Sequence, residues 1–147
     1  MSLSEKITED LKKAMKAKEV LRISCIRMLK SDLKNRQVEK GDVLRDEEIE
    51  SLISSLIRKG REAAKEFRNG GREDLAVKEE EEIKILYGYL PEQLQPDEIE
   101  GILKETISEL SVDNLKDLGK VMKVAMARMA GRAQGKEINE IAKKLLS

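Results

Sequence analysis

Between Leu118 and Lys136 the chain carries Lys120, Lys123, Arg128, Arg132 and Lys136 and no acid, and the next carboxylate is Glu137. Lysine ammonium groups and arginine forks are the side chains that hold phosphate oxygens, the first as point charges and the second through paired N–H donors. Asn139 adds a polar group close by in the sequence. A plainer reading competes: charged faces of helices are usually just solvated, and five cations can be the polar side of a small core. Gly131 and Gly135 flank Arg132. They read either as turn residues, where glycine supplies a positive φ, or as part of a loop whose amides and Arg132 meet an anion. The loop is not a nucleotide-binding P-loop. G-x-x-x-x-G-K-[ST] needs one more spacer residue and a hydroxyl after the lysine, where Glu137 stands here.

Other chemistry-bearing residues are sparse. The chain has no histidine, the commonest general base and zinc ligand, and one cysteine, Cys25, which falls on an apolar helical arc where thiols are inert. Glu73, Asp74 and the run Glu79 to Glu82 supply carboxylates, but consecutive positions point around a helix, so a solvated face is expected rather than a metal or acid–base cluster. Arg22 falls inside an apolar arc, which calls for an ion pair or a snorkelled stem, with an anion contact as the lesser alternative. Arg27 lies outside that arc and is expected to be exposed. No catalytic constellation, metal site or cofactor is implied.

The totals frame these candidates. The 147 residues include 29 Lys and Arg against 29 Asp and Glu, so no global field steers the chain toward polyanions and any such role must come from a local patch. Composition is 39% hydrophobic and 39% charged with two prolines, a balance of long amphipathic helices, and the class expected is all-α. The lone cysteine fits a reducing compartment, "MSLSEKITEDLKKAM" lacks a secretory apolar core, and no window could span a membrane. The expectation is a soluble, cytoplasmic protein.

Helical elements must position the candidate site. Ser2 and Glu5 have capping-box spacing, and Ile7, Leu11, Ala14 and Met15 give the first helix a narrow stripe ending near Lys18. A second helix from Glu19 to Lys40 buries Leu21, Cys25, Ile26, Met28, Leu29 and Leu33 and is stopped by Gly41. A third begins at Asp46 and ends at Asn69-Gly70-Gly71, and a fourth runs from Arg72 to Leu90, forming a hairpin with it. Pro91 and Pro96 break the pattern. The domains expected are residues 1–90, helical with about four helices, a linker at 91–96, and a three-helix domain at 97–147. In the last, an acidic helix from Asp97 to Leu110 precedes helices over Asn114 to Met129 and Lys136 to Leu146. Val121, Met122, Ala125 and Met129 form an inward stripe, leaving Lys120, Lys123, Val124 and Ala127 outside.

Four fragments, "LRISCIRMLKSDLKN", "GREDL", "YLPEQLQPDEIEGIL" and "LGKVMKVAMARMAGRAQGKEINEIAKKLL", together resemble the YqeY-like proteins of the GatB/YqeY family over essentially the whole chain. An aspartate commonly precedes the second glycine of the turn in that family, where this chain has Gln134. The resemblance implies a helical N-terminal part joined to a small three-helix domain. It also implies kinship with the C-terminal tail of the B subunit of the tRNA-dependent amidotransferase, a tRNA-contacting module whose catalytic domain this chain lacks. On that basis the expected function is a non-catalytic tRNA- or RNA-binding accessory module. Lys120, Lys123, Arg128, Arg132 and Lys136 would contact phosphates, Asn139 would lie nearby, and an amidotransferase is a candidate protein partner. A protein-interaction adaptor is the alternative. Carbon–nitrogen ligase activity with glutamine as amido donor ranks last, resting on family association alone.

Overall fold

The computed structural model describes residues 1–147 and contains helices and no strand. Helices α1 (Leu3–Ala17), α2 (Val20–Lys40), α3 (Asp46–Asn69) and α4 (Glu73–Tyr87) precede α5 (Pro96–Leu110), a 3-10 turn at Leu115–Asp117, α6 (Leu118–Arg128) and α7 (Gly135–Leu146). The chain divides into two compact units, Met1–Leu90 and Pro91–Ser147.

Helix ends in the first unit follow from local chemistry. Ser2 Oγ accepts the Glu5 N–H at 3.2 Å, so the serine half of the expected capping box forms. Lys18 ends α1 in the left-handed region at φ 57°, without the glycine that usually serves there. Gly41, at φ 79°, closes α2. Glu48 accepts the Arg45 N–H at 3.1 Å and the Lys40 ammonium at 2.6 Å, joining the end of α2 to the start of α3. Those donors hold its carboxyl at about 2, the Lys40 hydrogen bond contributing most.

The first core gathers Ile7, Ile26, Leu29, Ile49, Ile53 and Ile57, all fully enclosed. Helices α3 and α4 approach closely because Gly60 carries no side chain; a Cβ there would lie 3.1 Å from Ile83 Cγ1. Arg68 fastens the same pair through Glu73 and Glu80, both at 2.8 Å. Tyr89, buried, donates its hydroxyl to Asp10 Oδ2 at 2.7 Å. Two expected core residues are not in it: Met15 is 48% exposed and Met28 44%. Both sit at the margins of their apolar arcs, where flexible side chains turn outward. Arg22 lies at the open first turn of α2 and pairs with Glu19 at 3.0 Å, and its side chain is well exposed.

The second unit packs α5, α6 and α7 around Leu94, Ile99, Leu103, Val121, Met129 and Ile138. The stretch read as a linker belongs to this packing, since Leu94 is only 7% exposed. Pro96 is the first residue of α5, where its missing N–H costs nothing, and Glu98 accepts the Gln95 N–H at 3.0 Å. The helix expected from Asn114 starts as a 3-10 turn. Asn114 caps it by accepting the Lys116 N–H at 2.9 Å, and the α-helix proper begins at Leu118.

Candidate nucleic-acid interface

On α6 and its C-cap, Val121, Ala125 and Met129 are fully enclosed while Lys120 and Lys123 are exposed. This follows from about 100° of rotation per residue, which sets the three apolar residues on one side and the two lysines on the other. Val124 is half-buried, Ala127 is exposed, and Met126 stands 42% open. The outer strip of α6 is therefore small, partly apolar and basic. Neither lysine makes an ion pair.

Arg128 does not join them. Its Nη1 donates to Thr106 Oγ1 at 3.0 Å and its Nη2 to the Glu109 carboxylate. The guanidinium is spent inside the unit, bracing α6 on α5. Of the residues expected to contact phosphate it is the one already engaged within the unit: the sequence shows a cation on the rim of the helix but not the acid that folding brings to it. Thr106, fully buried, donates its hydroxyl hydrogen bond to the Ile102 carbonyl at 2.8 Å.

The turn after α6 is built from both directions. Gly131 takes φ 75°, which favours glycine. Its carbonyl accepts the Gln93 Nε2 at 2.8 Å, and the Arg132 carbonyl accepts the Leu94 N–H at 2.8 Å. The Arg132 N–H closes back on Met129 at 2.9 Å. With its carbonyls tied down on one side, the turn leaves the Arg132 side chain exposed and unpaired. Gln93 is the residue that sequence reasoning missed, because a glutamine between two prolines reads only as loop.

Gly135 has a different role from the expected positive-φ position. It is the first residue of α7 with ordinary helical geometry, and Met126 packs over it; an added Cβ would come 3.2 Å from Met126 Cε. Gln134, the N-cap, has the extended backbone of a cap and makes no side-chain cap bond. The N–H groups of Gly135, Lys136 and Glu137 therefore have no protein acceptor, as the first turn of a helix leaves them. Lys136 is exposed and unpaired beside them, and Asn139 is half-buried one turn further on.

The remaining candidates offer no reactive group. Cys25 is enclosed, and burial, with Glu82 next in effect, pushes its thiol up to about 11. In the acidic run, Glu80 pairs with Arg68 and Glu81 with Lys84, while burial and then Glu79 raise Glu82. No group of three or more carboxylates or thiols is placed to hold a metal ion.

An all-helical chain in two small units, the second bearing a glycine turn between basic helices, is thus defined by its fold. It belongs to the family described as Yqey-like protein, whose model matches residues 4–146. Among curated relatives it is similar to "Altered inheritance of mitochondria protein 41, mitochondrial" from several fungi. Identity is 30% over 134 residues in Pyrenophora tritici-repentis, covering 90% of this chain and 74% of the relative. In Lachancea thermotolerans it is 35% over 111 residues, covering 74% and 59%. In Saccharomyces cerevisiae strain YJM789 it is 28% over 130 residues, covering 88% and 69%. The chain thus spans about three fifths to three quarters of the length of these relatives. These names overturn the cytoplasmic expectation, since the relatives are named as mitochondrial proteins. The composition of the first segment does not choose among compartments. No helix is long and apolar enough to cross a membrane.

Proposed function

We propose that this chain is an accessory module that binds structured RNA, tRNA being the form suggested by its family resemblance, and that it does so through the second unit. The observation that carries the proposal is a set of unsatisfied donors spread along α6, the turn after it and the start of α7. Lys120, Lys123, Arg132 and Lys136 have no acidic partner, and the α7 first turn has three free N–H groups. Unpaired cations and helix-start amides are groups that phosphate oxygens satisfy. The small residues Val124 and Ala127 let a backbone come close to α6. With two tyrosines, one phenylalanine and no tryptophan in the chain, base stacking contributes little and recognition rests on backbone and shape. The chemistry of transfer is left to another protein, an amidotransferase being the partner that the resemblance suggests.

The test is fluorescence anisotropy with labelled tRNA, comparing the intact chain with Lys120→Ala/Lys123→Ala/Arg132→Ala. Binding by the intact chain and at least a tenfold loss in the variant are expected. Equal binding by the two would sink the proposal. A protein-docking role for the same strip is the second reading, favoured by the exposure of Met126 beside Ala127. Capture of a protein partner that persists after nuclease treatment, and is lost on Met126→Glu, would favour it.

A further inference from the structure

The first unit holds a feature that the RNA proposal does not use. Between α1 and α2 lies a groove of about 510 Å³, within the range of small-molecule clefts. Ile7 and Leu33, both buried, contribute its apolar part. Lys30 and Lys34 of α2 line it, as do Ser4, Thr8, Ser31 and Gln37. No carboxylate is among the lining residues.

Three observations converge on an anion. Lys30 is half-buried, yet neither it nor Lys34 makes an ion pair or hydrogen bond. The two lysines are one turn apart on α2, a like-charge spacing that is unfavourable unless a counter-charge sits between them. The Ser4 N–H, in the first turn of α1, has no acceptor, whereas the Leu3 and Glu5 amides are already taken by Asp46 and Ser2. Thr8 and Ser31 likewise have hydroxyls without partners, unlike Thr106, whose hydroxyl bonds its own helix.

We infer that this groove binds a phosphate monoester. Two ammonium groups suit a dianion, and the hydroxyls and the Ser4 amide are donors to its oxygens. The inference is independent of the RNA proposal, since every residue it uses belongs to the first unit.

Phenyl phosphate is the probe. Amide shifts of the full-length ¹⁵N-labelled chain are followed at constant ionic strength, with sodium chloride as the control and with an oligouridylate lacking terminal phosphate as a source of singly charged phosphodiesters. Saturable shifts at Ser4, Thr8 and Ser31 are expected with phenyl phosphate. Affinity should fall at least tenfold in Lys30→Gln/Lys34→Gln, whose helical circular dichroism should match the parent because neither side chain makes an ion pair or hydrogen bond within the fold. Thr8→Val should weaken binding by a smaller factor while keeping both charges. Shifts no larger than with chloride, or equal affinity in the double variant, would overturn the inference. So would occupation by the oligouridylate alone, since a monoester dianion is what the groove is argued to select.

Discussion

Gln134→Asp should stabilise the protein, and the size of the gain can be worked from the start of α7. Gln134 already has the cap backbone, φ −82° and ψ 139°, but its side chain makes no bond to the helix. One methylene shorter, an aspartate can accept from the Lys136 or Glu137 N–H, contacts worth about 1 kcal/mol at a typical N-cap. A negative charge at that end adds about 0.3–1 kcal/mol through the helix dipole. Against this stands the burial of the replaced side chain, which is 8% exposed; losing one buried CH₂ costs up to about 0.8 kcal/mol. The net gain is about 0.5–1 kcal/mol, or about 1–4 °C in Tm for a chain of this size. Thermal melts by circular dichroism check the magnitude, and slowed hydrogen exchange at the Lys136 and Glu137 amides checks the mechanism. Gln134→Asn separates the two contributions, since it caps without charge. The aspartate's folded pKa would be depressed, so its gain is present above an ordinary pKa of about 3.9 and is lost as pH falls below it. No gain from either substitution, or an aspartate gain undiminished at pH 2, would refute the reasoning.

Other consequences follow from the same geometry. Gly101→Ala, on an exposed position of α5 with nothing within 4 Å, should add about 1 kcal/mol by helix propensity. Gly60→Ala should lose stability in the same urea titration, by about 1 kcal/mol, because overpacking against the buried Ile83 outweighs that gain. Glu48, held at about 2 against an ordinary 4.5, contributes stability that is present above pH 4.5 and lost as pH falls toward 2. Glu48→Gln should therefore flatten the dependence of Tm on pH in that window, and an unchanged profile would contradict the Lys40 contact. Cys25 should resist iodoacetamide at pH 8 in the folded protein and react within minutes in urea, as followed by mass spectrometry.

Most of the helical frame was legible because its punctuation is chemical. Gly41, Gly70-Gly71 and Pro96 mark ends that local backbone preferences enforce, and the apolar period places Ile7, Ile26 and Val121 inward. Residues at the margins of an arc were not legible, as Met15 and Met28 show, since which edge of a stripe is covered depends on neighbours far away in sequence. The candidate site divides similarly. Periodicity alone exposes Lys120 and Lys123, but the capture of Arg128 by Glu109 joins residues nineteen apart, and the hold of Gln93 on Gly131 joins residues thirty-eight apart. Neither pairing leaves a mark on local sequence. Gly135 is ambiguous in sequence, because a glycine needed for the passage of Met126 looks like one needed for its φ.

The most direct test of the RNA-binding account is the slope of log K against log salt for tRNA. Four unpaired cations, Lys120, Lys123, Arg132 and Lys136, give a slope of about −3 to −4, or ~50- to 150-fold weaker binding from 50 to 200 mM salt. Lys120→Ala/Lys123→Ala/Arg132→Ala should bring the slope to about −1, while Arg128→Ala, whose charge Glu109 already holds, should leave it unchanged. A slope near zero in the intact chain, or an equal loss from Arg128→Ala and Lys123→Ala, would contradict the account.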